Sequence, residues 1–408
     1  MSQRLKLLIV KFAGTFGSGM LSFAIGLDVL HRTGSALSMG ITLIVGPVVA
    51  FCILPLVGYV VDTWPRKVVM AAAQAVTIIA LLFFAVAIER WPAAYFPTLI
   101  GLIVVLEVTD NFLSTSLQAS LSQLVAPDAL LRVNSLNQTM SSLAEFLAPI
   151  LGALLYTWLA LDRFAYIEVG FEAVALFAIV ALRFRGETTK HEAGEAESVV
   201  HNFVAGLKYL AAHRLVLVLS AASALLNFFF ALINIGPAYL LIHRLGLSNT
   251  QYGLTDSAYA VGMMIGGVLL SRWRLKSHPV IFSFRSLIVF AATLGIMGVP
   301  ALLGLPNSVN TVLFVGLDFL IGVLLVCINT PWDTFVQQIV PEHMQGRVFA
   351  VDGMLSTILM PIGTLVFGWL LDGLPIVAVF GVTGAVLLAV VLMELVVITR
   401  RGLLNDES

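Results

Sequence analysis

Apolar stretches of about 20 residues, separated by short polar breaks, run the length of the chain, and about 20 is the length a helix needs to cross a hydrocarbon core of about 30 Å. The pattern predicts twelve membrane-spanning helices at roughly 6–30, 38–61, 68–88, 96–122, 134–160, 164–183, 215–242, 250–271, 280–301, 309–332, 349–372 and 375–398. An even number places both termini on one side. With that side taken as the cytoplasm, 17 of the 22 Lys and Arg residues fall in inner segments, and four, Arg32, Arg90, Arg163 and Arg244, fall outside. Arg285 lies within a span, near enough to its inner end to snorkel. Positive charge is held back in the cytoplasm, so this distribution predicts cytoplasmic termini. The first apolar run follows Arg4 and Lys6 as a signal peptide would, but no small-residue cleavage site follows it and further spans do, so it is expected to be retained.

The polar stretch from Arg185 to Ser198 divides the spans six and six, and an amphipathic segment from His201 to Arg214 follows it, with Phe203, Leu207, Leu210 and Ala211 on one face. The expected organisation is a six-helix bundle over 1–184, a cytoplasmic linker with an amphipathic helix over 185–213, and a second six-helix bundle over 214–408. The halves repeat. Gln123, Leu124 and Val125 with Arg132 and Val133, after the fourth span, recur as Gln338, Ile339 and Val340 with Arg347 and Val348 after the tenth. Gly58, Asp62 and Lys67 recur more loosely as Gly267, Ser271 and Lys276. Internal duplication of this kind marks repeat-built transporter folds.

Composition removes whole classes of function. With 59% hydrophobic and 11% charged residues and a mean hydropathy of +1.00, most of the surface is matched to lipid and not to water. A net charge of −1 points to no nucleic-acid partner. Cys52 and Cys327 lie in separate apolar runs, without metal-ligand or disulfide spacing, and no Walker-type glycine loop is present, so neither a metal, a cofactor nor ATP is expected. A polytopic membrane enzyme would need His, Asp or Ser groups clustered at one membrane face, and no such cluster stands out.

The loop after the second span joins Gly58, Asp62, Arg66 and Lys67 in the pattern G-x-x-x-D-x-x-x-R-K, and there the chain resembles the major facilitator superfamily. That resemblance implies the all-α fold of twelve transmembrane helices in two pseudo-symmetric six-helix bundles. It also implies a conformational latch, with Asp62 at the positive end of a helix in the other half and Arg66 in the charge network that closes the inner face. Thr63 and Pro65 stand where the family usually has a basic residue and a glycine. In the fifth span, Pro149 and Gly152 resemble the G-P-x-x-G-G element of the antiporter branches, though the same residues also suit simple helix packing. Taken with Val133 to Gln138 and with Arg347 to Gly353, the chain looks most like the macrolide-efflux-like drug:proton antiporters. The resemblance implies a monomer in the cell membrane, exporting amphipathic small molecules against inward proton flow.

An ionisable side chain at the bilayer centre costs about 2.5–3.5 kcal/mol on insertion scales, so acids inside spans are the leading functional candidates. Glu107 lies about 16 Å into the fourth span at about 1.5 Å per residue, with Asp110 and Asn111 just deeper, and Asp318 reaches a similar depth in the tenth. Asp28 sits nearer the outer end of the first span, and Asn227 and Asn234 add neutral polar groups to the seventh. By resemblance these spans line the central cavity, although many superfamily antiporters carry an arginine where this chain has Glu107. Each acid also has a plainer reading, as a helix-packing hydrogen bond. Glu145, Glu168, Glu172 and Glu394 are expected to be structural, and the run Phe228 to Phe230 suits either a cavity wall or a lipid-facing surface. Acids without a central Lys or Arg favour a cationic or zwitterionic lipophilic substrate exchanged for protons. A dedicated exporter of a metabolite, siderophore or lipid is the alternative.

Overall fold

A chain that must satisfy its backbone without water forms helices, and the computed structural model consists of them. It describes residues 3–124, 130–182, 207–212, 214–272, 278–340 and 342–400. Among these are twelve long helices: α1 (Gln3–Thr33), α2 (Ala36–Thr63), α3 (Arg66–Arg90), α4 (Tyr95–Leu124), α5 (Leu130–Tyr156), α6 (Leu161–Val180), α7 (Arg214–Ala238), α8 (Asn249–Arg272), α9 (Pro279–Ile296), α10 (Asn307–Ile339), α11 (Glu342–Gly373) and α12 (Ile376–Arg400). The first six begin at Gln3, Ala36, Arg66, Tyr95, Leu130 and Leu161, and the last six at Arg214, Asn249, Pro279, Asn307, Glu342 and Ile376, each 211 to 215 residues later. The repeated Gln-x-Val segments thus fall at equivalent helix ends, where α4 and α10 stop.

Nine helices among the described residues, α1 to α4, α7 to α10 and α12, are long and apolar enough to cross a membrane. α6 falls short because its 20 residues carry Asp162, Arg163, Glu168 and Glu172. In α5 and α11 the described apolar stretches, Phe146–Tyr156 and Leu359–Gly373, are shorter than a span. Large apolar side chains such as Ile79, Phe83, Phe177 and Val312 are exposed, as lipid-facing residues are, and Trp64, Trp91 and Trp158 stand at helix ends where aromatic belts form.

The chain divides into two units, Met1–Arg32 with Ile41–Gly194, and Thr33–Gly40 with Glu195–Ser408. Of the expected amphipathic segment only 207–212 is described; it is helical, with Leu210 buried but Leu207 and Ala211 exposed, and Phe203 lies outside the described residues. In the first unit, helix C-termini are held by cations: Lys67 donates to the carbonyls of Val180 (2.6 Å) and Leu182 (2.9 Å), and Lys6 to that of Ala181. These are the orphan carbonyls at the negative end of α6, where positive charge is favoured.

In the second unit glycines set the helix contacts. A β-carbon on Gly262 of α8 would collide with the Phe319 carbonyl of α10, and one on Gly322 with the Tyr259 carbonyl, so the two helices meet backbone to backbone. α7 contains Pro237, which offers no amide to the ladder, and two residues later the helix widens into a π-turn over Tyr239–Arg244. The short segment Thr33–Gly40 belongs to this unit because Asp372 caps the start of α2, accepting from Ser35 Oγ (2.6 Å) and the amides of Ala36 (2.7 Å) and Leu37 (3.3 Å).

Candidate functional site

In the first unit the acids of α4 gather with those of α6. Asn111, one turn beyond Glu107, donates to the Glu107 carbonyl and to its Oε1, both at 2.9 Å, so the amide fixes the carboxylate's rotamer. The other oxygen, Oε2, lies against Gly46 of α2, only 2.8 Å from where a β-carbon would stand. Glu107 is half-buried and Asp110 exposed. Asp110 interacts electrostatically with Glu107, with Lys11 of α1, and with Glu168 and Glu172 of α6. The sequence reading placed Lys11 at the inner end of its span and kept cations out of this region. Lys11 nevertheless lies within electrostatic range of Asp110.

Glu168 and Glu172 were read as structural. They are buried, 3% and 4% exposed, one helical turn apart on α6. The visible signal was two acids at i, i+4 within an apolar span. The fold resemblance does not assign α6 to the cavity. Thr77 of α3 donates to Thr109 of α4 at 2.7 Å beside this cluster, tying together two of its helices.

The second unit has its own pair. Asp318 on α10 is 6% exposed and interacts electrostatically with Asp256 of α8, beside Thr255, whose hydroxyl donates to the Tyr252 carbonyl at 2.8 Å. Tyr252, one turn before Asp256, is buried within reach of both carboxylates. Asp256 escaped the sequence reading although an acid seven residues into the eighth span was in view, because that reading followed depth in the fourth and tenth spans.

Other candidates lie apart from these clusters. Asp28 is buried and saturated: Arg32 Nε (2.8 Å) and Tyr95 OH (2.5 Å) donate to Oδ2, and Tyr156 OH (2.9 Å) to Oδ1, with the Arg32 guanidinium 4.4 Å above the Tyr95 ring. Asn227 is half-buried and donates to the Ser223 carbonyl at 2.9 Å, and Asn234 is exposed. Phe228 packs on Phe367 (5.3 Å between ring centres) and Phe230 on Phe290 (4.8 Å), so two of the three rings are taken up within the unit. Gly152 and Ala148, flanking Pro149 on α5, pack on α1 against Phe23 and Gly19, which is a packing role.

Among the loop residues, Arg66 donates to the Ala119 carbonyl of α4 at 2.7 Å and Lys67 holds α6. A β-carbon on Gly58 would meet nothing within 4 Å, so this glycine makes no close helix contact. Asp62 closes α2, and its side chain lies outside the described residues.

The family model of the Major Facilitator Superfamily matches residues 7–364, and again 235–405. Macrolide efflux protein A of Streptococcus pyogenes is 21% identical to this chain over 391 residues, covering 92% of this chain and 91% of its own length. Macrolide efflux protein A of Enterococcus faecalis is 23% identical over 320 residues, covering 76% and 93%. Among solved structures, the nucleoside transporter NupG superposes with a TM-score of 0.77 at 15% identity, covering 97% of this chain and 98% of that one. A bacterial homologue of the iron transporter ferroportin, inward-facing, does so with a TM-score of 0.71 at 20% identity, covering 98% of each. At these identities the structural likeness is one of fold.

Proposed function

We propose proton-coupled export of lipophilic, cationic or zwitterionic small molecules for this chain, which belongs to the Major Facilitator Superfamily. As such it is a multi-pass membrane protein that carries small molecules across the bilayer by secondary transport, and not an enzyme. The observation that carries the finer reading is Asp110, a carboxylate left exposed on a membrane-spanning helix, three residues after Glu107 and within electrostatic range of Lys11. A charge in that setting is costly unless something binds it. A proton and a cationic group compete for the same oxygens, and that competition is the minimal chemistry of antiport. Lys11 offsets part of the charge, which suits a substrate with one positive centre and an otherwise apolar body.

Similarity to macrolide efflux proteins over most of both chains supports the efflux direction and amphipathic cargo. The reading extends to a monomer in the cell membrane with both termini cytoplasmic, and to a role in antibiotic resistance.

The test is gradient-driven movement of ethidium and of a macrolide in proteoliposomes, comparing wild type with Glu107→Gln and Asp110→Asn. Movement driven by the pH gradient and lost in either variant is the expected result. Wild type that moves neither compound under a pH gradient sinks the reading in favour of a dedicated exporter of a metabolite, siderophore or lipid. Active wild type with two unaffected variants relocates the carboxylates to Asp256 and Asp318.

A further inference from the structure

The Glu107 carboxylate is held from two directions. Asn111, one turn along α4, donates through Nδ2 to Oε1 and to the Glu107 carbonyl, both at 2.9 Å. An amide shared between a side chain and its own main chain narrows that side chain to one rotamer. In that rotamer Oε2 lies 2.8 Å from where Gly46 of α2 would carry a β-carbon, and the carboxyl carbon lies at 3.5 Å. Gly46 is buried, so the oxygen rests against the α2 backbone, while Glu107 as a whole is half-buried. Among the described residues no hydrogen bond reaches Oε2 and no ion pair reaches Glu107.

A methyl group at position 46 would stand closer to Oε2 than van der Waals contact allows. The atom in its way is the end of a flexible side chain, so the carboxylate gives way and the helix backbones stay where they are. The hydrogen bond from Asn111 is what opposes that movement. Pro47 gives Gly46 a second use, because a proline ring crowds the β-carbon of the residue before it and disfavours helix there. That use makes Gly46 costly to replace whatever stands at position 107, and here the two explanations part.

We infer that Gly46 is a positioning residue of the transport site: together with Asn111 it sets the Glu107 carboxylate in the orientation that receives the cationic group of the substrate. The inference rests on the export reading for the cargo, while the seat itself consists of contacts within the first unit. Asn111 occupies Oε1, and Oε2, with no donor from the described residues, is the oxygen left for an N–H of the substrate. Charge-assisted hydrogen bonds keep to about 2.7–2.9 Å, so a carboxylate pushed aside keeps its charge and loses its fit. Helix α2 thus enters the site through the absence of a side chain.

The test is a double-mutant cycle on the full-length protein with Gly46→Ala, Glu107→Asp and the pair. Gly101→Ala on α4, where a β-carbon meets nothing within 4 Å, is the control. Ethidium binding in detergent and its pH-driven movement in proteoliposomes are read together. Gly46→Ala is expected to weaken binding and raise the half-saturating concentration about tenfold, with a far smaller change in maximal rate and a melting midpoint near wild type. Glu107→Asp draws the carboxyl back by about 1.5 Å, clear of the added methyl group, so the pair is expected to bind no more weakly than Glu107→Asp alone. Losses that multiply in the pair overturn the inference, as does Gly46→Ala binding ethidium as tightly as Gly101→Ala. Should Gly46→Ala fail to fold beside Pro47, the cycle is run in a Pro47→Ala background, where that crowding is gone. Wild type that neither binds nor moves ethidium removes the export reading alone, and the seat is then decided without a substrate, by the rate at which a hydrophobic carbodiimide labels Glu107, read by peptide mass spectrometry. Faster labelling in Gly46→Ala and Asn111→Leu than in wild type and Gly101→Ala supports the seat, and equal rates in all four overturn it.

Discussion

Asp28 and Asp110 are both aspartates within predicted spans, and their partners separate their roles. Asp28 receives three donors on two oxygens and sits against Arg32, so its charge is fully used in holding α1 to the start of α4 and the end of α5. Hydrogen bonds to a charged group contribute about 1.5–3 kcal/mol each, and Asp28→Asn is expected to lower stability by about that amount through the weakened Arg32 contact. The check is the melting midpoint in detergent alongside pH-driven transport: a lower midpoint with coupling intact is expected, and an unchanged midpoint with lost coupling would return Asp28 to the proton path. For Asp110 the reverse holds, since it is exposed and its neighbours interact through space. The presence of an acid in a span was legible in both cases. Which acid is saturated was not, because Tyr95 and Tyr156 lie 67 and 128 residues from Asp28 along the chain.

Helices in lipid gain little by burying apolar faces against each other, so close contact depends on small residues. α8 and α10 show this through Gly262 and Gly322, each opposed by a backbone carbonyl of the other helix. Gly322→Ala forces those backbones apart and is expected to cost about 1–3 kcal/mol by overpacking. Gly316→Ala on the same helix, where a β-carbon meets nothing within 4 Å, serves as the control. Equal thermal midpoints for the two variants would contradict this account of the helix pair. The contact also brings the second acidic pair together, with Asp256 on α8 and Asp318 on α10 in electrostatic range one to two turns from the glycines. Pro237 and the π-turn after it show another limit of pattern reading. The proline is visible in the sequence, but whether a missing amide kinks, ends or widens a helix depends on what surrounds the next turn.

At the scale of the whole molecule, the twelve helices repeat after 211 to 215 residues, and the distribution of Lys and Arg predicts which of their ends face the cytoplasm. With Cys52 and Cys327 replaced by Ser, a cysteine at Trp158 is expected to react with a membrane-impermeant thiol reagent in intact cells, and one at Trp64 only after permeabilisation. The opposite pattern would invert the topology. The number of helices, their approximate ends, the duplication and the acids in the fourth and tenth spans were legible in the amino-acid pattern alone. These follow from local quantities: the length of apolar runs, the placement of Lys and Arg, and the energetic cost of a charge in hydrocarbon. What needed the fold was which partner each side chain meets: Arg66 at the Ala119 carbonyl, Lys67 at those of Val180 and Leu182, Gln74 at the main-chain oxygen of Glu172, and Asp256 within electrostatic range of Asp318. The reason is physical: hydropathy reports what each residue costs in lipid, whereas a side chain's partner depends on helix rotation and contact, which are set by small-residue packing between segments distant in sequence.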